Sequence, residues 1–223
     1  MKAMVRRLTT ALLALVLAAV AIPATSALAE TWIYEGVGKV SAKGTVVLPY
    51  AKGADYFAVA SKEFPIKKPT NVKSSNPGIV GAKTAQIGCS NYGLLLKPKG
   101  LGTARVSLKH KGKTYTFTVK VVSATNPIKS IKNGTKTIAG SKFRFKNGLW
   151  VPKSSSIKLV ANKSLKITPA SGWKLAYVQY YNSNGTYKKA HSLSKVPATY
   201  DPVNIVLKNM KTQGYSIVSL NVR

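Results

Sequence analysis

Thr103-Ala104-Arg105-Val106-Ser107-Leu108-Lys109 and Thr114-Tyr115-Thr116-Phe117-Thr118-Val119-Lys120-Val121 follow one grammar. In the first run Ala104, Val106 and Leu108 alternate with Arg105, Ser107 and Lys109. In the second, Tyr115, Phe117, Val119 and Val121 alternate with Thr and Lys. A period of two sends alternate side chains to opposite faces, so each run reads as a strand with one buried and one wet face. Lys111-Gly112-Lys113 lies between them and reads as a hairpin turn.

The same pattern extends outward from this hairpin, to 46–48, 57–60, 94–96, 156–161, 175–181, 203–207 and 216–222. Turn signals separate these runs: Asn76-Pro77-Gly78, Asn133-Gly134, Asn147-Gly148, Ser171-Gly172, Asn184-Gly185 and Asp201-Pro202. No stretch after residue 29 reads as a helix. Many short strands at this spacing predict an all-β protein, two tandem Ig-like β-sandwich modules over 30–122 and 123–223. The break is expected at Ser123-Ala124-Thr125-Asn126-Pro127, which holds only small, polar and turn-forming residues.

Residues 1–29 read as a signal peptide. Lys2, Arg6 and Arg7 precede an apolar run over 8–22, Pro23 ends it, and Ala27-Leu28-Ala29 has the small-x-small pattern of a cleavage site. The run falls short of the ~20 apolar residues of a membrane span, so cleavage after Ala29 is expected rather than retention as an anchor. Arg6-Arg7 alone is a poor twin-arginine signal, which favours the general secretory route. The remaining 194 residues carry 32 Lys and Arg against 5 Asp and Glu, and no later stretch is apolar enough to span a bilayer. The expected location is outside the cell, secreted and held at the wall non-covalently.

Three pieces of 72–121 resemble the bacterial immunoglobulin-like domain family of the Big2 type. Ser74-Ser75-Asn76-Pro77-Gly78-Ile79-Val80 is similar to its "SSNP-x-hydrophobic-Val" turn and strand. The run from Gly93-Leu94-Leu95-Leu96 through Gly100-Leu101-Gly102-Thr103-Ala104-Arg105-Val106 is similar to its glycine-punctuated core. Tyr115-Thr116-Phe117-Thr118-Val119-Lys120-Val121 is similar to its closing strand. Two features depart from the pattern: Val72-Lys73 stands where the family often has Trp, and 83–92, with Cys89, is longer than the usual link. The resemblance implies a sandwich with an adhesion-like or wall-associated role. It covers nothing of 123–223.

Composition argues against catalysis. A single cysteine makes no internal disulfide. Cys89 with His110 or His191 has no motif around it to suggest a thiol nucleophile and base, and the two histidines read as surface residues. One Cys and two distant His are too few for zinc. Glu30, Glu35, Asp55, Glu63 and Asp201 are never spaced as a pair for acid/base work. No phosphate-binding, dinucleotide or nucleophile-elbow motif is present. A non-enzymatic protein with no cofactor, metal or small-molecule substrate is expected. An enzyme in 123–223 would have to gather Asp201, His191 and tyrosines in one cleft.

The lysines are the anomaly. Lys67, Lys68, Lys97, Lys99, Lys109, Lys111, Lys113, Lys142, Arg144 and Lys146 fall in turns and on the exposed phase of strands. Lysine blunts sheet edges and keeps proteins soluble, and on that ground alone the chain could be an inert spacer or stalk. Solubility does not call for the scarcity of carboxylates, because mixed charges solubilise equally well. An anionic partner accounts for both. The expected partners are a wall polymer such as teichoic acid, an acidic glycan, phospholipid headgroups or extracellular DNA bound non-specifically. Lys outnumbers Arg, which suits diffuse charge attraction better than bidentate base reading.

Among the aromatics, Trp150, beside Gly148 and Pro152, is expected to be exposed and to stack on glycans. Trp173 and Tyr177 are expected in the core. Tyr177 and Tyr181 share one strand face, with Tyr180 on the other. Asn133-Gly-Thr135, Asn162-Lys-Ser164 and Asn184-Gly-Thr186 fit the glycosylation pattern, but in a bacterial protein they read as Asn-rich turns.

Overall fold

The computed structural model describes residues 31–34, 38–41, 45–52, 57–61, 68–87, 91–155, 157, 159–161, 164–182, 184–198 and 202–222. The expected signal peptide lies outside them, as do Lys67, Cys89, Asn162 and all five carboxylates. The chain divides into two compact units that meet between Ser123 and Ala124. Among the described residues every regular element is a strand apart from two short 3-10 turns, Gly140–Lys142 and Leu193–Lys195. None of those residues forms a helix long and apolar enough to cross a membrane.

The first unit holds β1 (Thr31–Tyr34), β2 (Gly38–Ser41), β3 (Thr45–Tyr50), β4 (Phe57–Ser61), β5 (Thr70–Ser74), β6 (Val80–Ile87), β7 (Asn91–Pro98), β8 (Gly102–His110) and β9 (Lys113–Ser123). They form a five-stranded sheet, β2-β1-β4-β7-β6, and a four-stranded sheet, β3-β9-β8-β5. The two sheets close on one core. Val46, Leu48, Val106, Leu108, Phe117 and Val119 enter it from the four-stranded sheet, and Val80, Leu94 and Leu96 from the other. Burial of each such side chain contributes roughly 1.5–3 kcal/mol.

β8 and β9 carry the alternation expected of them, from Gly102 paired with Val121 to His110 paired with Lys113. Lys113 is thus the first residue of β9, and the loop shrinks to Lys111-Gly112. These two have φ of 48° and 76°, the type I′ geometry whose twist matches antiparallel strands. Gly102, at φ +134°, lets the chain enter β8 tightly, and a Cβ there would lie 2.8 Å from Ile79 Cδ1.

The second unit holds β10 (Ile128–Asn133), β11 (Lys136–Ala139), β12 (Phe143–Lys146), β13 (Leu149–Pro152), β14 (Lys166–Pro169), β15 (Trp173–Tyr181), β16 (Tyr187–Ala190), β17 (Val203–Asn209) and β18 (Tyr215–Leu220). A three-stranded sheet, β11-β10-β14, packs on a six-stranded one, β12-β13-β18-β17-β15-β16. Ile131, Leu165 and Ile167 meet Val178, Ile205, Leu207, Val218 and Leu220 in the core.

One expectation fails here. Of 156–161, the described residues 157 and 159–161 form no strand: Leu159 makes one isolated parallel bridge with Val222, its N–H donating to the Asn221 carbonyl at 3.4 Å, and one bridge makes no ladder. Leu159 is buried while Val160 is 57% exposed. Part of the stretch 123–127, where the break is expected, is packed. Pro127 is buried, and Ala124 packs against the second core. Asn126 donates from Nδ2 to the Gly140 carbonyl at 2.7 Å and accepts from the Ile128 amide at 3.0 Å.

That clasp requires Gly140. A Cβ there would collide with the Ile128 carbonyl, a backbone atom that cannot swing aside. Gly140→Ala should therefore destabilise the second unit by about 1–3 kcal/mol. Thermal denaturation checks this, and an unchanged midpoint would show that the close approach is absent.

Candidate functional site

The outward face of the four-stranded sheet follows from the alternation that fills the core. Because Ala104, Val106 and Leu108 point inward, Arg105, Ser107 and Lys109 point out, and likewise Thr114, Thr116 and Lys120 on β9. Lys73 pairs with Ser107 and Thr103 with Lys120, so four cations (Lys73, Arg105, Lys109 and Lys120) share a hydroxyl-rich face. Lys111 and Lys113 are exposed at its hairpin end, beside Lys109.

The remaining candidates lie elsewhere. Lys97 is half-buried on β7 opposite Gly81, and Lys99 lays its stem over that glycine, with Cε 3.1 Å from where a Cβ would sit. Lys68 is exposed ahead of β5. Lys142 is exposed in its 3-10 turn, and Arg144 and Lys146 are exposed on β12 at the edge of the six-stranded sheet. The structure thus brings together Lys109, Lys111 and Lys113, then Lys97 and Lys99, then Lys142, Arg144 and Lys146. Within the first unit, Lys97 and Lys99 belong to the five-stranded sheet and its edge, and Lys109, Lys111 and Lys113 to the four-stranded sheet and its hairpin.

The histidine expectation is half wrong. His191 is exposed, but His110 is only 3% exposed, the last member of the inward series after Ala104, Val106 and Leu108. Extending the two-residue period by one step would have found it. Among the described residues no group of three or more His, Cys, Asp or Glu is placed to hold a metal ion.

Trp150 also departs from expectation. It is 8% exposed and belongs to the second core, with its ring 5.5 Å from that of Phe145 at 57°. Pairing with Val218 of β18 fixes its inward phase. It is not available to stack on a glycan.

Tyr177 is displaced in the opposite sense. Trp173 and Leu175 pack against the core, but a register shift between Leu175 and Tyr177 inserts one residue, after which Val178 and Tyr180 point inward. Tyr177 therefore faces out, where the Lys189 ammonium lies 4.7 Å from its ring centroid. On the same face Lys208 lies 5.8 Å from the ring centroid of Tyr215. Distances of this size are those of cation–π contacts.

Of the glycosylation-pattern asparagines, Asn184 serves a turn, its Oδ1 accepting from the Thr186 amide at 3.1 Å. Asn133 Oδ1 instead accepts from the distant Val160 amide at 3.3 Å.

No family model and no curated protein matches the chain. Solved structures overlap it loosely. Domains 5–6 of the S-layer protein SbsC share 15% identity at a TM-score of 0.29, covering 86% of this chain and 98% of that one. Protocadherin gamma B2 extracellular cadherin domains 1–5 share 8% identity at 0.27, covering 80% and 38%. Titin Ig tandem domains A164–A165 share 10% identity at 0.23, covering 87% and 97%. At these scores the overlaps assign the chain to none of these proteins.

Proposed function

We propose that the chain is an exported, non-enzymatic bacterial protein of the Big2 immunoglobulin-like type that associates with anionic polymers at the cell exterior. The observation that carries this reading is the outward face of the four-stranded sheet, with Lys73, Arg105, Lys109 and Lys120 each opposite a Ser or Thr and Lys111 and Lys113 beside them. Folding gains nothing from like charges placed on one face, since they repel one another. A polymer of negative charge relieves that repulsion and releases its own condensed counterions on contact. The partner is a wall polymer or an acidic glycan, with extracellular DNA bound non-specifically by the same means.

The competing reading is an inert spacer whose lysines only guard sheet edges. Replacing Lys109, Lys111 and Lys113 together by Glu separates the two. All three side chains are exposed, so the first unit should still melt cooperatively. Retention of the full chain on isolated cell walls or teichoic acid should fall about tenfold or more. Unchanged retention would leave only the spacer.

A further inference from the structure

The six-stranded sheet of the second unit has a second face, turned away from its core, on which register aligns three chemically different rows. One row crosses three strands as Lys174, Lys208 and Tyr215. The next runs Tyr177, Val206, Ile217, Leu149 and Lys146 across five strands. The last runs Lys189, Gln179, Asn204 and Ser219. All of these residues lie on the opposite phase from Val178, Ile205, Leu207, Val218 and Trp150, which fill the core.

The middle row is an apolar floor. Val206 is 0% exposed although it belongs to no core cluster, while Tyr177, Ile217 and Leu149 are half-buried around it. Cations bound it: Lys174 and Lys146 are exposed, and Lys189 and Lys208 are held over tyrosine rings. Holding a lysine over a ring reduces the rotamer freedom it loses on meeting an anion. Gln179 is buried in that row, but the Asn204 amide and the Ser219 hydroxyl are partly exposed and each donate and accept, as vicinal sugar hydroxyls require.

We infer that this face binds an acidic oligosaccharide. Its sugar rings lie with their C–H faces on the half-buried Ile217 and Leu149, its hydroxyls meet Asn204 and Ser219, and its carboxylates meet the flanking lysines. Charge complementarity supports this occupant: residues 124–223 hold 17 Lys and Arg against one carboxylate, Asp201. Chemistry also favours sugar over nucleic acid. Bases need open aromatic faces, whereas here the floor is largely aliphatic and an ammonium lies over Tyr177 and over Tyr215. From Lys208 to Asn204 the face runs roughly 13 Å along the strands, and five strands span roughly 20 Å across, room for a few sugar rings.

The inference rests on the anionic-polymer reading and adds to it a second surface, on the other unit, with a named ligand class. The test uses the full chain with three probes: a galacturonic acid oligomer, inorganic polyphosphate as a pure charge probe, and single-stranded DNA. The Leu149→Thr/Ile217→Thr double variant removes floor and no charge. It should lower affinity for the galacturonate oligomer about tenfold and leave polyphosphate unchanged. Asn204→Ala, which leaves the core intact, should lower galacturonate affinity alone and serves if the double variant melts early. Equal binding of galacturonate by wild type and variants overturns the face while leaving the charge reading standing. A parallel loss on DNA overturns the choice of sugar. Wild type that binds none of the three probes removes both readings.

Discussion

Between about 50 and 200 mM salt, the full chain should lose roughly a hundredfold in affinity for a single-stranded anionic polymer, if about five lysines each displace a condensed counterion. For single strands the slope of log affinity against log salt is about −0.7 per contact, hence about −3.5 for five, and a fourfold rise in salt gives about that factor. Five is a modest demand on the outward face of β8, β9 and β5, where Lys73, Arg105, Lys109, Lys111, Lys113 and Lys120 lie within one sheet and its hairpin. Exposed charges act over a screening length of ~8 Å at physiological salt, so neighbouring strands contribute to one field. Titrating polyphosphate at four or five salt concentrations measures the slope. The Lys109/Lys111/Lys113 charge-reversal variant should show a shallower one. A flat response in the unaltered chain would remove the anionic-polymer reading altogether.

The second large effect is on stability. Trp150→Ala should cost the second unit about 3–5 kcal/mol, because it empties a core position packed against Phe145 and Val218. Native domains hold only about 5–15 kcal/mol, so this is a large share of the total. At ~4–8 °C per kcal/mol for a domain of this size, the melting transition should fall by tens of degrees. Trp150→Phe should be mild by comparison, under about 1.5 kcal/mol, since the ring volume is largely kept. It also removes an indole N–H that meets no hydrogen-bond acceptor among the described residues. Calorimetry on the three proteins checks the order. A stable Trp150→Ala that has lost only glycan binding would put the ring on the surface after all.

The hairpin of β8 and β9 was legible because seven and eight residues of clean alternation leave one consistent choice of inward face. The short strands were not. Phe143-Arg144-Phe145-Lys146 reads first as a charge cluster, yet it is β12, paired with β13 across the Asn147-Gly148 turn. Four residues are too few for periodicity to declare itself, and there the turn dipeptide was the better signal. Trp150 sits between Leu149 and Val151, with apolar neighbours on both sides, so its phase could not be read along the chain. The row of Tyr177, Val206, Ile217 and Leu149 was invisible for a further reason: its members come from four strands scattered between 149 and 217.

The sequence by itself determined that this is a β protein, that its lysines occupy the wet phase of its strands, and that almost no carboxylate answers them. Those properties are local, since a two-residue period and a residue count need no knowledge of partners. The tertiary structure alone decided which wet faces join. Parallel pairing of β13 with β18 turned Trp150 inward, and the bulge in β15 turned Tyr177 outward. A one-residue shift exchanges the two faces of a strand, and only the hydrogen-bonded neighbour fixes it.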